Sequence, residues 1–148
     1  MAIVRVTKEF RFEGAHALQY YDGKCRHIHG HSYHLFITVS GAPESGENHP
    51  KSGMVLDFSE LKSIVNIHII EPLDHALILR NDSPLAYEIS ESYQNVKIVE
   101  FQPTSENLAI YFAEILKEQL PAHIRLCSVK LYETSTSFAE WRVEDNPE

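Results

Sequence analysis

Apolar and polar positions alternate from Ile3 to Phe12, which predicts a strand over residues 3–12. A second alternation covers 29–40, where Tyr33, Leu35, Ile37 and Val39 share the parity of His29 and His31. Between them, residues 13–28 read as a connection containing glycine and polar side chains, and it carries His16 and Cys25. Gly41 to Gly53, with Pro43, Gly46, Asn48 and Pro50, is a loop. The period then lengthens. Asp57 as N-cap, with Glu60 three residues on, opens a helix whose core stripe is Phe58, Leu61, Val65 and Ile69. Pro72 closes it.

Arg80 to Pro103 is long and mostly polar, broken by Pro84, with one apolar segment at Val96–Val99. Pro103-Thr104-Ser105-Glu106 opens a second helix with Leu108, Tyr111, Phe112, Ile115 and Leu116 on its buried face, and Pro121 ends it. Strands near 124–133 and 138–143 complete the chain. The order strand-strand-helix-helix-strand-strand predicts one α+β domain over 1–148, an antiparallel four-stranded sheet with two helices on one face.

Composition narrows the partners. A formal net charge of −8 without a basic run argues against nucleic acid, and no apolar run reaches membrane-spanning length. An anionic substrate must therefore be met by a local patch, for which Lys24, Arg26 and His27 are the candidates, unless they form a solvated loop. The alternating N-terminus reads as a strand and not as a signal peptide. With only Cys25 and Cys127, a disulfide framework is not expected, and a cytoplasmic protein with reduced thiols is.

The chemistry concentrates in Cys25-Arg26-His27-Ile28-His29-Gly30-His31, with His16 just upstream. On a strand, His29 and His31 point to one face, the one that Tyr33 to Val39 bury. With His16 as third nitrogen, a tetrahedral Zn2+ keeps one position open for water or substrate. A closed structural site that also takes Cys25 is the competing reading, although structural sites usually use several thiolates.

Glu133 shares strand parity with Cys127, Val129 and Leu131, and a carboxylate on an apolar face needs a partner. Arg125 on the same face is one. A ligand edge with two N–H donors is the other. Asp74-His75 is either an acid–base pair or a turn at a helix end, and a working pair would require local bending. Glu106 in a first helical turn suits the helix dipole, and Cys127 among apolar neighbours reads as inert core.

Taken together, the segments resemble the 6-pyruvoyltetrahydropterin synthase superfamily, in the pattern of its bacterial branch, the 6-carboxy-5,6,7,8-tetrahydropterin synthases of queuosine biosynthesis. The resemblance rests on Ala15-His16-Ala17-Leu18, Cys25 to His31, Gly53-Met54-Val55-Leu56-Asp57-Phe58, Leu73-Asp74-His75, Pro103 to Asn107 and Tyr132-Glu133, in that order. It implies a tunnelling fold in which trimers close a β-barrel and two trimers stack into a homohexamer, with pockets between subunits. It implies zinc on His16, His29 and His31, Cys25 as general base, and Asp74 with His75 as relay. Glu133 would anchor a pterin ring with help from Thr104, Ser105 and Glu106. The expected reaction is conversion of 7,8-dihydroneopterin triphosphate to 6-carboxy-5,6,7,8-tetrahydropterin, because the three residues between Cys25 and His29 match the bacterial spacing. A 6-pyruvoyl synthase that retains the substrate's side arm, a zinc hydrolase and a non-catalytic zinc-binding domain are the alternatives.

Overall fold

Strand β1 runs from Val4 to His16 in the computed structural model, which describes residues 1–84 and 86–148. It pairs along its whole length with antiparallel β2 (His29–Gly41). The hairpin therefore extends past Phe12, where the sequence pattern ended. Gly14 suggested a connection, but its missing side chain is what lets the Tyr33 ring lie over the strand: a Cβ there would stand 3.1 Å from that ring. Phe12 and Tyr33, paired across the strands, stack with centroids 4.8 Å apart. His16 is thus a strand residue and not part of the connection.

Asp57 caps α1 (Phe58–Val65), its Oδ1 accepting from the Ser59 amide at 2.9 Å. Lys51 and Ser59, both hydrogen-bonded to the Asp57 carboxyl, hold it well below the usual carboxylate range. The helix then widens over Asn66–Ile70, where the Glu71 amide reaches back to the Asn66 carbonyl, and finishes as α2 (Glu71–Leu73). Pro72 has no amide to donate, and its ring crowds the carbonyl four residues back, which accounts for the wider winding. Leu61, Val65 and Ile69 are buried as the stripe predicts, whereas Phe58 is exposed at the helix start.

Beyond this helix the expected topology needs correction. The sheet has six strands, not four, and is mixed, in the order β4-β3-β1-β2-β5-β6. The added strands are β3 (Ala76–Arg80) and β4 (Val96–Val99), joined through α3 (Ala86–Ser92). β3 runs parallel to β1, and β4 runs parallel to β3. Each is reached by a helical crossover, which is what parallel pairing requires. Their sequences hid them: Ala76-Leu77-Ile78-Leu79 is an unbroken apolar run without period, and β4 has only four residues. Within the expected irregular segment 80–103, Leu85 lies outside the described residues.

α4 (Ser105–Gln119), β5 (Arg125–Thr134) and β6 (Ser137–Arg142) follow, the two strands as antiparallel additions beside β2. Leu108, Phe112 and Leu116 of α4 are fully buried in one core with Tyr33, Leu35, Ile37, Val129 and Leu131, while Tyr111 and Ile115 are half-buried. The opposite sheet face is polar, with Thr7 bonded to Thr38 at 2.7 Å and Glu9 to Arg11 at 3.2 Å. No described helix is long and apolar enough to cross a membrane.

Candidate active site

The open end of the β1–β2 hairpin brings three imidazoles together. In the antiparallel register His16 lies opposite His29, and His31 lies opposite Gly14, so the rings gather on the core face. His16 is buried and the other two are half-buried. Their ligand nitrogens all lie within 4.8 Å of one another.

Backbone carbonyls fix the tautomers. His16 Nδ1–H donates to the Pro103 carbonyl at 2.6 Å, and His29 Nδ1–H donates to the His27 carbonyl at 2.7 Å. Each neutral ring then presents a bare lone pair at Nε2, and these two nitrogens face each other at 2.9 Å. His31 Nε2 stands 3.2 Å from His16 Nε2. Converging acceptors of this kind are satisfied by a shared cation, and carbonyl-bonded Nδ1 atoms are the usual support of metal-ligating histidines. The donor set therefore fits a metal ion.

Electrostatics agree. Burial pushes His16 down to about 4, against the Pro103 hydrogen bond, which acts the other way. Burial also lowers His31, opposed by the Glu133 charge. Both rings thus favour the neutral form a metal needs.

Glu133 belongs to the same cluster. Its Oε1 is 3.4 Å from His16 Nε2 and 3.6 Å from His31 Nε2. The expected alternative partner, Arg125, is exposed at the far end of β5. Glu133 and His31 line a cavity of about 590 Å³ together with His34, Phe36 and Tyr132. The Tyr33 hydroxyl, fully buried, has no hydrogen-bond partner among the described residues, and its ring packs edge-on against His31.

The other expected site residues lie elsewhere. Asp74 Oδ1 accepts from the Glu13 amide at 2.9 Å and lies 3.1 Å from His75 Nδ1, and these donors hold its carboxyl below the usual range. His75 adopts φ 61°, which supplies the bend that pairing with its neighbour requires. Its exposed ring lines a separate cavity of about 870 Å³ with Glu13, Ile28, Ile89 and Tyr93. Cys25 is half-buried with a free thiol on the turn Lys24–Arg26, flanked by Lys24, Arg26 and His27. Among the described residues, no hydrogen bond, ion pair or ring contact joins Cys25 or His75 to the three imidazoles.

Thr104 Oγ1 caps α4 by accepting from the Asn107 amide at 3.2 Å. Ser105 Oγ donates to Glu106 at 2.8 Å, and none of the three lines the cavity of His31 and Glu133. Thr104→Ala should therefore cost about 1 kcal/mol of stability in urea unfolding, with Thr104→Ser restoring most of it. An unchanged urea midpoint in the alanine variant would remove the capping role. What the sequence reading missed are main-chain groups, the Pro103 and His27 carbonyls. Neither leaves a pattern of residue types, although Pro103 sits next to a recognisable N-cap.

Comparison with known proteins adds three findings. Residues 5–144 match the family described as 6-pyruvoyl tetrahydropterin synthase. A 6-carboxy-5,6,7,8-tetrahydropterin synthase of Haemophilus influenzae is 37% identical over 142 residues, covering 93% of this chain and 98% of its own. The structure of Caenorhabditis elegans 6-pyruvoyl tetrahydropterin synthase aligns with TM-score 0.67 and 29% identity over 96% of each chain.

Proposed function

From the premise that the chain belongs to the 6-pyruvoyl tetrahydropterin synthase family, we propose that it is a zinc-dependent lyase of the 6-carboxy-5,6,7,8-tetrahydropterin synthase type. Its substrate is 7,8-dihydroneopterin triphosphate, and with water the products are the 6-carboxy pterin, acetaldehyde and triphosphate. The single observation that carries this reading is the convergence of the His16, His29 and His31 nitrogens within 4.8 Å of one another, with Glu133 beside them.

His16, His29 and His31 would hold zinc, whose set of three imidazoles with an open position suits catalysis. When bound, zinc supplies Lewis acidity to the hydroxyls of the substrate's arm. Glu133 accepts two N–H bonds from the amino-pyrimidine edge and so orients the ring. Cys25 Sγ takes a carbon-bound proton from that arm. His75, with Nδ1 tied to Asp74, exchanges the next proton through its free Nε2. Lys24, Arg26 and His27 meet the triphosphate. His31 of the trio and His75 of the pair line different cavities of one protomer, which supports a site shared between subunits of a cytoplasmic homohexamer.

The direct test incubates the zinc-loaded protein with dihydroneopterin triphosphate and follows product mass and acetaldehyde. One acetaldehyde per 6-carboxy product is expected. A 6-pyruvoyl product without acetaldehyde would assign the activity named for the Caenorhabditis elegans structure instead. Glu133→Gln replaces one acceptor with a donor against the ring's N–H edge. It should lower kcat/KM by an amount equivalent to about 3 kcal/mol while leaving metal content unchanged. Normal kinetics in that variant would move the ring elsewhere.

A further inference from the structure

We infer that Gln102 is a positioning residue that fixes the Cys25 loop against the imidazole cluster; its catalytic consequence rests on the proposed role of Cys25 as base. The Gln102 side-chain amide grips the backbone of Gln19 in both directions. Its Oε1 accepts from the Gln19 amide at 2.9 Å, and its Nε2 donates to the Gln19 carbonyl at 2.6 Å. A side chain here imitates the paired bonds of a strand ladder, and the pair lies partly buried.

The grip reaches the thiol by one more bond. The Leu18 amide donates to the Cys25 carbonyl at 2.9 Å, so the loop from Leu18 to Cys25 closes on itself beside the gripped residue. The loop is built tightly. Tyr20, directly after Gln19, holds φ 64°, a conformation that persists only where the surroundings impose it. At Gly23 a Cβ would come within 2.5 Å of the Tyr21 ring.

On the other side, the backbone at Gln102 is held independently of its side chain. Asn107 Nδ2 donates to the Gln102 carbonyl at 3.0 Å, and the Thr104 amide donates to the same oxygen at 2.8 Å. The next carbonyl, that of Pro103, orients His16. One short segment therefore registers the thiol loop by its Gln102 amide group and a metal ligand by its backbone. Changing the Gln102 side chain should loosen the first and spare the second.

The test compares zinc-loaded wild type with Gln102→Ala and Gln102→Glu. The glutamate keeps the shape and the Gln19 amide contact but sets an oxygen against the Gln19 carbonyl. Native-state alkylation of Cys25 by iodoacetamide and hydrogen exchange at the Gln19 amide report loop position directly. Cys127, which is buried, reports global folding by staying unlabelled. Expected are faster Gln19 exchange, an altered Cys25 alkylation rate, unchanged zinc content and near-normal KM. A fall in kcat of about tenfold or more should accompany them, since a misplacement of ~1 Å can cost on the order of 10²-fold. Wild-type exchange and alkylation in both variants would overturn the inference. Faster exchange and altered alkylation with wild-type kcat would uphold the grip and instead remove Cys25 from the role of base.

Discussion

Turnover of the Cys25→Ala protein is expected to fall by about 10²–10⁴, the usual contribution of a general base. Zinc should remain bound, because the three imidazole nitrogens converge on one another without the thiol. Stopped assays of product formation beside metal analysis of the same samples separate the two effects. If the variant comes out metal-free, the thiol is a fourth ligand and the site is closed. Cobalt substitution reads the same point in wild type, where a strong thiolate charge-transfer band would reveal a metal-bound Cys25.

The second large effect concerns the trio. His29→Ala combined with His31→Ala should reduce zinc from about one per protomer to near zero, since His16 alone is a single buried ligand. Activity should vanish with it. Full occupancy in the double variant would locate the metal elsewhere. Acid should release the metal from wild type as well, because protons compete for the same nitrogens. The released protein then weakens in a defined direction. Folded His16 binds its proton only at about 4, against 6.5 for an ordinary histidine, so between these values the unfolded protein binds more protons. Stability of the metal-free fold is therefore lost as pH falls from 6.5 toward 4, and retained above.

The parts that sequence reading reached are those where residue type and period carry the physics. Period-two burial puts His29 and His31 on the face of Tyr33 and Leu35, and the structure keeps that parity through Val39. Asp57 and Thr104 cap the helices that the sequence opens at them. Gly14 misled because a glycine in a strand is as compatible with a turn as with a ring lying over it, and only the partner strand decides. β3 escaped because a parallel strand buried between neighbours needs no alternation, and β4 because it is an edge strand of only four residues. The cluster of His16, His29 and His31 follows from spacing once His16 is known to lie opposite His29. The proximity of Glu133 to these rings could not follow from spacing. It depends on β5 joining β2, a pairing between segments far apart in sequence.

The antiparallel pairing of His16 with His29 also divides the molecule into parts that can change separately. The imidazole trio is set by a backbone ladder continuous from Val4 to His16, so its geometry does not depend on how many residues join the two strands. The joining loop carries the thiol and the neighbouring basic side chains. Lengthening or shortening that loop would shift the Cys25 thiol and the charges around it while the three imidazoles kept their places. In such a scaffold, the chemistry around the imidazole trio can diversify through the length of a loop. A single residue inserted inside β1 does the opposite: it turns His16 to the polar face and leaves two rings where three met.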